Sequence, residues 1–395
     1  MIKFSTGHLF AYLSIFCYIS FLPIFKTDVQ PYFLLAGLLF LLRIKPLKLP
    51  YEFGYVIISV FAGLIILLLD FVFYDFFEFT KSVQKFSKYV VFLISSICFY
   101  EYLKLYGFPL KPIKFFCYTS LVVGLIQLLI NKRFFEFLLY RIATDDSRGI
   151  TSVMSEPTHF GMYCLFLMFI LKIYNYPKKD LYMILIFNIV ILSQSTQTIL
   201  FLIIWGILIL FSKNYFYKIL LFITSFILSF YYKAFFHFLN ELFDNRFTSI
   251  IAKIDFNDIV NLLLIDESIS GRVSHVILSI YWFFSSFFFP NLYNNWVFYV
   301  NSYNNEILNF SFIGNGVIIS TLGSILFEIG FFAFPMIYLF YKNLFKFNMT
   351  GLTYVVVFTL IFISAVQFTV PLYALLFSHL ILTNKKKAHN FYRKI

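Results

Sequence analysis

The chain alternates long apolar runs with short polar connections from one end to the other. An α-helix rises about 1.5 Å per residue, so a run of roughly 17 to 25 apolar residues is long enough to cross a bilayer. The candidate spans are residues 8–25, 28–42, 53–73, 89–106, 113–130, 158–174, 181–194, 197–212, 215–235, 316–341, 352–368 and 370–383. The pattern predicts an all-α polytopic integral membrane protein, with about 12 transmembrane helices in a single domain over residues 1–395.

Composition places the chain in the same class. Apolar residues make up 61% of the sequence and charged residues 13%, whereas soluble domains carry about 25% charged residues. The four cysteines all fall inside predicted spans. We expect them to be small apolar side chains without a disulfide.

Lysine and arginine are concentrated in alternate connections. These connections lie near residues 43–48, 104–114, 172–179, 213–218, 342–346 and 385–394. Connections rich in Lys and Arg stay on the cytoplasmic side of a membrane, so the pattern predicts that both termini are cytoplasmic. Topology then explains the net charge of +12, and no nucleic-acid partner is expected.

With this orientation, two long loops lie on the outer side, residues 131–157 and the larger 236–315. The larger loop contains an amphipathic segment, Val273–Phe289. Polar residues near helical spacing mark one face of it and are Arg272, His275, Ser279 and Ser286. If the segment crossed the membrane, residues 290–315, which contain no Lys or Arg, would become cytoplasmic. We therefore predict a helix in or on the outer half of the bundle, with its polar face toward a cavity.

One short stretch, Arg148–His159, combines a guanidinium, a carboxylate, an imidazole and several hydroxyls in an otherwise apolar sequence. Ser155 followed by Glu156 and Pro157 predicts a helix N-cap, a first-turn acid and a proline that needs no N–H partner. The helix over 158–174 then enters the membrane. The stretch should therefore lie at the outer mouth of that helix.

Two arginines, Arg148 and Arg272, are candidates for phosphate binding. Arg272 follows a predicted turn over 268–271 and heads the amphipathic segment. A planar guanidinium binds phosphate through two parallel hydrogen bonds, and the charge of a leaving diphosphate must be neutralised. The alternative is a headgroup anchor or, for Arg148, an ion pair with Asp145 or Asp146.

Candidates for proton transfer and substrate contact lie nearby. Glu156 either stabilises the helix N-terminus or removes a proton from a sugar hydroxyl. His159 and His275 are either helix histidines with satisfied hydrogen bonds or groups that contact the substrate. Ser155 and Gln194, which lies in the polar turn before the next span, complete the predicted substrate contacts on this side.

The segment 291–309 is rich in Asn and aromatic residues. Amides hydrogen-bond sugar hydroxyls and aromatic rings stack on the C–H faces of sugars. Asn295, Trp296 and Tyr303 are therefore predicted sugar contacts. Glu328, the one acid well inside a predicted span, is expected to bond to a neighbouring helix.

Several chemistries find no matching motif in the sequence. There is no Walker loop, dinucleotide fingerprint, His-Glu-x-x-His sequence or nucleophile elbow. The external acids form no Asp-x-Asp pair, so we expect metal-independent chemistry without a cofactor. Polar residues concentrate on the outer side, which favours an enzyme over a transporter or flippase, because the latter needs a polar path through both halves.

The motifs resemble those of a known family. Arg148-Gly149 followed by Ser155-Glu156-Pro157-Thr158-His159 resembles a stretch seen in many O-antigen and capsular polysaccharide polymerases of the Wzy type. Leu192-Ser193-Gln194-Ser195 resembles their serine-rich turn. Ser270-Gly271-Arg272 and the sequence from Gly323 to Gly330 resemble the elements that bracket their large periplasmic loop.

The resemblance implies a bacterial inner-membrane glycosyltransferase of the O-antigen polymerase and ligase superfamily. Such an enzyme would transfer a growing glycan from undecaprenyl diphosphate to an incoming lipid-linked repeat unit, with inversion, in lipopolysaccharide or capsule synthesis. Arg148 and Arg272 would bind the diphosphate, and Glu156 would lie near the acceptor. The implied partners are undecaprenyl-diphosphate-linked glycans, membrane lipids and a chain-length regulator protein.

Related O-antigen ligases carry a histidine near the end of the large loop. Residues 300–327 contain none, which favours a polymerase over a ligase. An O-antigen ligase and a polysaccharide transporter or flippase remain the alternatives.

Overall fold

The computed structural model describes residues 5–19, 28–44, 48–73, 76–141, 149–211, 241, 267–303, 318–346, 351–364 and 366–392. Within these residues every regular element is a helix. Arg148, the predicted span 215–235 and parts of both predicted external loops lie outside the described residues.

The first half of the chain forms eight described helices. They are α1 (Thr6–Ile15), α2 (Tyr32–Leu41), α3 (Glu52–Phe73), α4 (Phe76–Tyr106), α5 (Leu110–Leu129), α6 (Pro157–Ile173), α7 (Lys179–Phe187) and α8 (Thr196–Phe211). A 3₁₀ turn, Glu136–Leu138, lies between α5 and α6, and a π-helical turn, Asn188–Ser193, extends α7. Helices α3, α5, α6 and α8 begin and end within three residues of predicted spans.

The second half of the chain continues the helical pattern. Its described helices are α9 (Glu267–Ser285), α10 (Asn295–Tyr303), α11 (Thr321–Ile329), α12 (Phe334–Phe345), α13 (Gly351–Ile363) and α14 (Pro371–Tyr392). A 3₁₀ turn, Gly330–Ala333, joins α11 to α12. Helix α14 packs along α4, and α9 packs on α11.

Four segments of the described chain are long and apolar enough to cross a membrane. They are Glu52–Phe73, Phe79–Tyr106, Leu110–Leu129 and Thr321–Phe345. Shorter apolar helices accompany them, namely α2, α6, α8, α13 and Pro371–Thr383 of α14. The described chain is thus all-helical, with helix lengths and composition that indicate a membrane protein.

Exposure of side chains supports the same conclusion. On α3 the exposed side chains include Phe61, Leu68 and Val72, whereas a soluble protein covers such a face with charged residues. Helix α6 is different, because every residue except Thr158 and Lys172 is buried. Helix α6 is therefore central, and its first turn carries the polar stretch predicted at its mouth.

Helix α4 begins much earlier than the span predicted over 89–106. It starts at Phe76, and its first turns include Lys85 and Lys88. Hydropathy excluded these lysines because they interrupt the apolar run. The structure accommodates them through contacts with distant parts of the chain: Lys85 Nζ donates to the backbone oxygen of Tyr293 over 2.6 Å.

The predicted span 316–341 is broken in the middle. Gly330 has a φ of +56°, which ends α11, and a Cβ at this position would lie against the backbone of Phe288 and Pro290. The break frees backbone groups, and the segment after α9 satisfies two of them. Phe331 N donates to Phe288 O over 2.8 Å, and Asn291 N donates to Phe327 O over 3.0 Å. Irregular backbone at membrane depth requires such partners.

The amphipathic helix also begins earlier than predicted. Helix α9 starts at Glu267, so residues 268–271 are helical and Arg272 lies inside the helix instead of at its head. Ser and Gly cost a helix at most about 1 kcal/mol each relative to Ala. Tertiary packing overrides that preference here, since Gly271 is buried.

Two residues of the polar face of α9, His275 and Ser279, pack against α11 and the residues just before it, whereas the prediction placed them toward a cavity. Ser279 lies so close to Gly323 of α11 that a Cβ there would overlap its hydroxyl. Nδ1 of His275 accepts a hydrogen bond from the backbone N–H of Ile319 over 3.0 Å. These two side chains therefore join α9 to α11, while Arg272 of the same stripe reaches α6 and α8.

Candidate functional site

The mouth of α6 differs by one residue from the prediction. Glu156, with extended backbone, is the N-cap, and Pro157 is the first helical residue. Ser155 is therefore not the cap, and its hydroxyl lies 3.2 Å from Nδ1 of His159. The side chain of Glu156 makes no hydrogen bond to the first N–H groups of α6. These N–H groups and the helix dipole favour an anion at this end.

The turn after α7 holds the approach to α6 from one side. Ile150 N donates to Leu192 O over 2.8 Å, and Ser193 Oγ donates to Pro157 O over 2.8 Å. A Cβ on Gly149 would overlap the carbonyl of Ser193. The glycine of the Arg-Gly motif is thus required by close backbone contact.

Gln127 on α5 holds the same segment before α6 from the other side. Its oxygen accepts from Ser152 N over 2.6 Å, and its nitrogen donates to Ser152 O over 3.0 Å and to Phe134 O over 2.7 Å. Gln127 is buried. The amide therefore bonds both the backbone N–H and the backbone C=O of Ser152. These bonds help hold Ser152 at its φ of +52°.

Arg272 reaches the mouth of α6 from α9. Its guanidinium donates to Oε1 of Gln197 over 3.3 Å and to Oγ1 of Thr158 over 3.2 Å. Thr158 belongs to the first turn of α6 and Gln197 to the first turn of α8. The arginine therefore links α9 to α6 and α8 beside the N-terminus of α6.

A second arginine, Arg141, lies between two carboxylates. Its Nε and Nη2 each donate over 3.0 Å to the two oxygens of Asp28, and Nη2 also donates to Glu156 over 3.1 Å. Asp28 is 4% exposed. Its hydrogen bond to Arg141 raises the pKa of the guanidinium above the usual range, with a smaller contribution from Glu156.

His159 completes the cluster. It lies in the first turn of α6, buried, with Nδ1 3.9 Å from Oδ2 of Asp28. The ring of Tyr18 lies beside it at 6.1 Å between centroids. Both carboxylates and both guanidiniums act on the imidazole electrostatically. We call Asp28, Arg141, Glu156, His159 and Arg272 the mouth cluster.

Several predicted substrate contacts lie elsewhere. Trp296 is 1% exposed and packs in a small core with Leu278 and Phe327, so it is not available to a sugar. His275 is equally buried, its ring 5.3 Å from that of Trp296, and burial lowers its pKa to about 4. It is therefore a neutral structural histidine. Aromatic and histidine content alone cannot separate such core positions from a binding surface.

The remaining predicted contacts have mixed positions. Gln194 is exposed at the end of the π-helical turn, and its amide donates to Ile191 O over 3.1 Å. Asn295 begins α10, where its N–H donates to Leu292 O. Arg148 and the side chain of Tyr303 lie outside the described residues.

Glu328 bonds to a neighbouring helix, which confirms that prediction. Lys88 of α4 lies 2.7 Å from its Oε2, and Tyr89 donates to the same oxygen over 2.8 Å. Lys88 also donates to Ser324 over 3.1 Å. This buried network ties α4 to α11.

The sequence did not single out Asp28 and Arg141 as a pair. Asp28 follows the first predicted span and lies 113 residues before its partner. One signal was available: Asp28 begins the second predicted span and Arg141 lies in the first predicted external loop, so both charges are at the ends of apolar runs. Thr158 stands in the sequence only as a member of a motif, and no pattern singles out Gln197.

No protein-family model, curated protein or solved structure matches this chain.

Proposed function

We propose that the chain is an inner-membrane glycosyltransferase of bacteria. It polymerises undecaprenyl-diphosphate-linked repeat units into O-antigen or capsular polysaccharide at the periplasmic face. In this proposal about 12 helices span the membrane, both termini are cytoplasmic, and the mouth cluster faces outward. The chemistry is inverting and metal-independent.

The observation that carries the proposal is the position of Arg272. Its guanidinium is bound to Thr158 and Gln197 at the start of α6, where the side chain of the N-cap residue makes no capping hydrogen bond. A positive fork and a helix N-terminus together suit a phosphate-type anion. A diphosphate bound there would leave with its negative charge stabilised by groups already in place.

The neighbouring groups suit the other half of the reaction. A sugar hydroxyl must lose a proton as it attacks, and the cluster contains two carboxylates and an imidazole beside the proposed diphosphate site. Arg148, in the matched motif, is proposed as a second diphosphate ligand. The apolar helices around the mouth suit the polyprenyl tail of the substrate.

The test compares glycans made by the native bacterium after the gene is deleted and variants are restored. Deletion should leave one repeat unit on the lipid core, and the wild-type gene should restore the polymer ladder. Arg272→Ala should leave single repeats, because loss of a charge-assisted bond to a buried anion costs about 2–5 kcal/mol, or roughly 30- to several-thousand-fold in rate. Arg272→Lys should restore a short polymer ladder, because an ammonium keeps the positive charge but lacks the planar pair of N–H donors of a guanidinium.

Arg133 is the matched control, because it is an exposed arginine on the segment that follows α5. Arg133→Ala and Arg133→Lys should both make normal polymer at equal protein abundance. A deletion strain with no glycan on the lipid core would indicate a ligase. Accumulation of lipid-linked repeats on the cytoplasmic side would indicate a flippase. Normal polymer from Arg272→Ala would remove the diphosphate assignment.

A further inference from the structure

The two nitrogens of His159 have different surroundings. Nδ1 lies 3.2 Å from the Ser155 hydroxyl and 3.9 Å from the Asp28 carboxylate. Nε2 makes no hydrogen bond to any of the described residues, and the side chain retains 10% exposure at the mouth. A histidine that acts as a base needs this asymmetry, with one nitrogen held by the protein and the other open to the substrate.

We infer that His159 is the general base that deprotonates the acceptor hydroxyl and that Asp28 is its positioning residue. The inference rests on the proposed glycosyl transfer. Arg141 has a supporting part, since its two bonds to Asp28 fix the plane of that carboxylate. Neither Asp28 nor Arg141 appears in any motif of the sequence.

The charges around His159 suit reversible protonation of its imidazole. Asp28 and Glu156 face it with negative charge, and Arg141 and Arg272 face it with positive charge. The uncharged ring of Tyr18 lies beside it. The carboxylate of Asp28, 3.9 Å from Nδ1, stabilises the imidazolium formed when the base takes a proton.

Glu156 is a weaker candidate for the base because of its partner. Its Oε1 accepts from Nη2 of Arg141, the same nitrogen that binds Asp28. The carboxylate is thus held by a guanidinium at the N-cap. His159 can donate from Nδ1 to the neutral hydroxyl of Ser155, and in that tautomer Nε2 keeps its lone pair for the substrate.

The step balances in atoms and charge. The acceptor oxygen forms a bond to the anomeric carbon of the donor sugar while the bond from that carbon to the diphosphate oxygen breaks. Nε2 of His159 takes the acceptor proton, and undecaprenyl diphosphate leaves with the electron pair of the broken bond. The proton then passes to water, which restores the neutral imidazole.

The test uses the purified full-length protein in detergent and lipid-linked single repeats extracted from the deletion strain. Initial rates of dimer formation are measured against substrate concentration and pH. His159→Gln should lower kcat by about 100- to 10,000-fold, with KM little changed. Asp28→Asn should lower kcat less and move the acid limb of the pH profile to lower pH, because the lost carboxylate no longer favours the protonated imidazole.

Asp180→Asn is the matched control, an exposed acid at the start of α7, and it should leave both the rate and the pH limb unchanged. A His159→Gln enzyme with kcat within about threefold of the wild type would overturn the assignment, as would a raised KM with unchanged kcat. An unmoved limb in Asp28→Asn would remove that residue from the mechanism. If His159→Gln fails to fold, the position of the acid limb in the pH profile of Asp28→Asn decides whether His159 is the base.

Arg272→Ala in the same assay separates this inference from the proposed function. If Arg272→Ala is inactive and His159→Gln is active, the polymerase proposal stands and the base assignment is wrong. If the wild-type protein makes no dimer from the lipid-linked repeats, both are wrong.

Discussion

The buried ion pair between Lys88 and Glu328 allows a quantitative test of how the bundle is held together. The two side chains are 14% and 6% exposed, and Glu328 also accepts from Tyr89. Removal of one partner strands the other charge in the interior, which costs about 3–5 kcal/mol. Lys88→Met and Glu328→Leu should each lower stability by that amount, whereas the double variant should regain most of the loss.

Equilibrium unfolding of the purified protein in detergent measures these changes. The coupling energy is the difference between the double variant and the sum of the single ones. Lys111→Met is the control, because Lys111 is exposed at the start of α5, and it should change stability by less than about 0.5 kcal/mol. Single variants as stable as the wild type would refute the reasoning. A stable Glu328→Gln protein without polymerase activity would instead give Glu328 a functional part.

Three further predictions follow from local contacts and from topology. Burial lowers the pKa of His275 from 6.5 to about 4, so between these pH values the unfolded state binds the proton more readily than the folded state. The free energy of unfolding should therefore fall as the pH drops from 6.5 to 4. His275→Gln should flatten this slope in pH-dependent unfolding, and an unchanged slope would contradict the assignment. Gly149→Ala should lower both thermal stability and the yield of the proposed polymer, because the new Cβ overlaps the carbonyl of Ser193. Gly206→Ala is the control and should change neither, because a Cβ there meets nothing within 4 Å. Reporter fusions at Asn305 and after Lys387 should report opposite sides of the membrane, and the same side for both would reject the proposed topology.

The sequence predicted the helices that depend on local composition. Helices α3, α6 and α8 are uninterrupted apolar runs, so hydropathy gives their bounds closely. The start of α4 could not be predicted in this way, because Lys88 becomes acceptable inside a helix only through Glu328, which lies 240 residues further along the chain. Distant partners of this kind leave no local signal.

The candidate site also combines residues that the local sequence marks with contacts that only the fold creates. The Arg148–His159 stretch and Arg272 stood out because a charged group beside an apolar run is conspicuous in the sequence. The contacts of Arg272 with Thr158 and Gln197 depend on how α9 folds back onto α6 and α8, which spacing does not give. Trp296 was misjudged for the same reason, since only packing tells a core indole from a sugar platform.

The break between α11 and α12 bears on the order in which the protein assembles. Two backbone bonds at the break come from the segment that follows α9, through Phe288 and Asn291. The ribosome makes that segment before α11, so the partners of the broken helix are already present when α11 enters the membrane. A chain that delivered α11 first would hold unpaired backbone groups in lipid, at several kcal/mol each. We therefore expect the segment that follows α9 to act as an internal template for the insertion of the helix pair that comes after it.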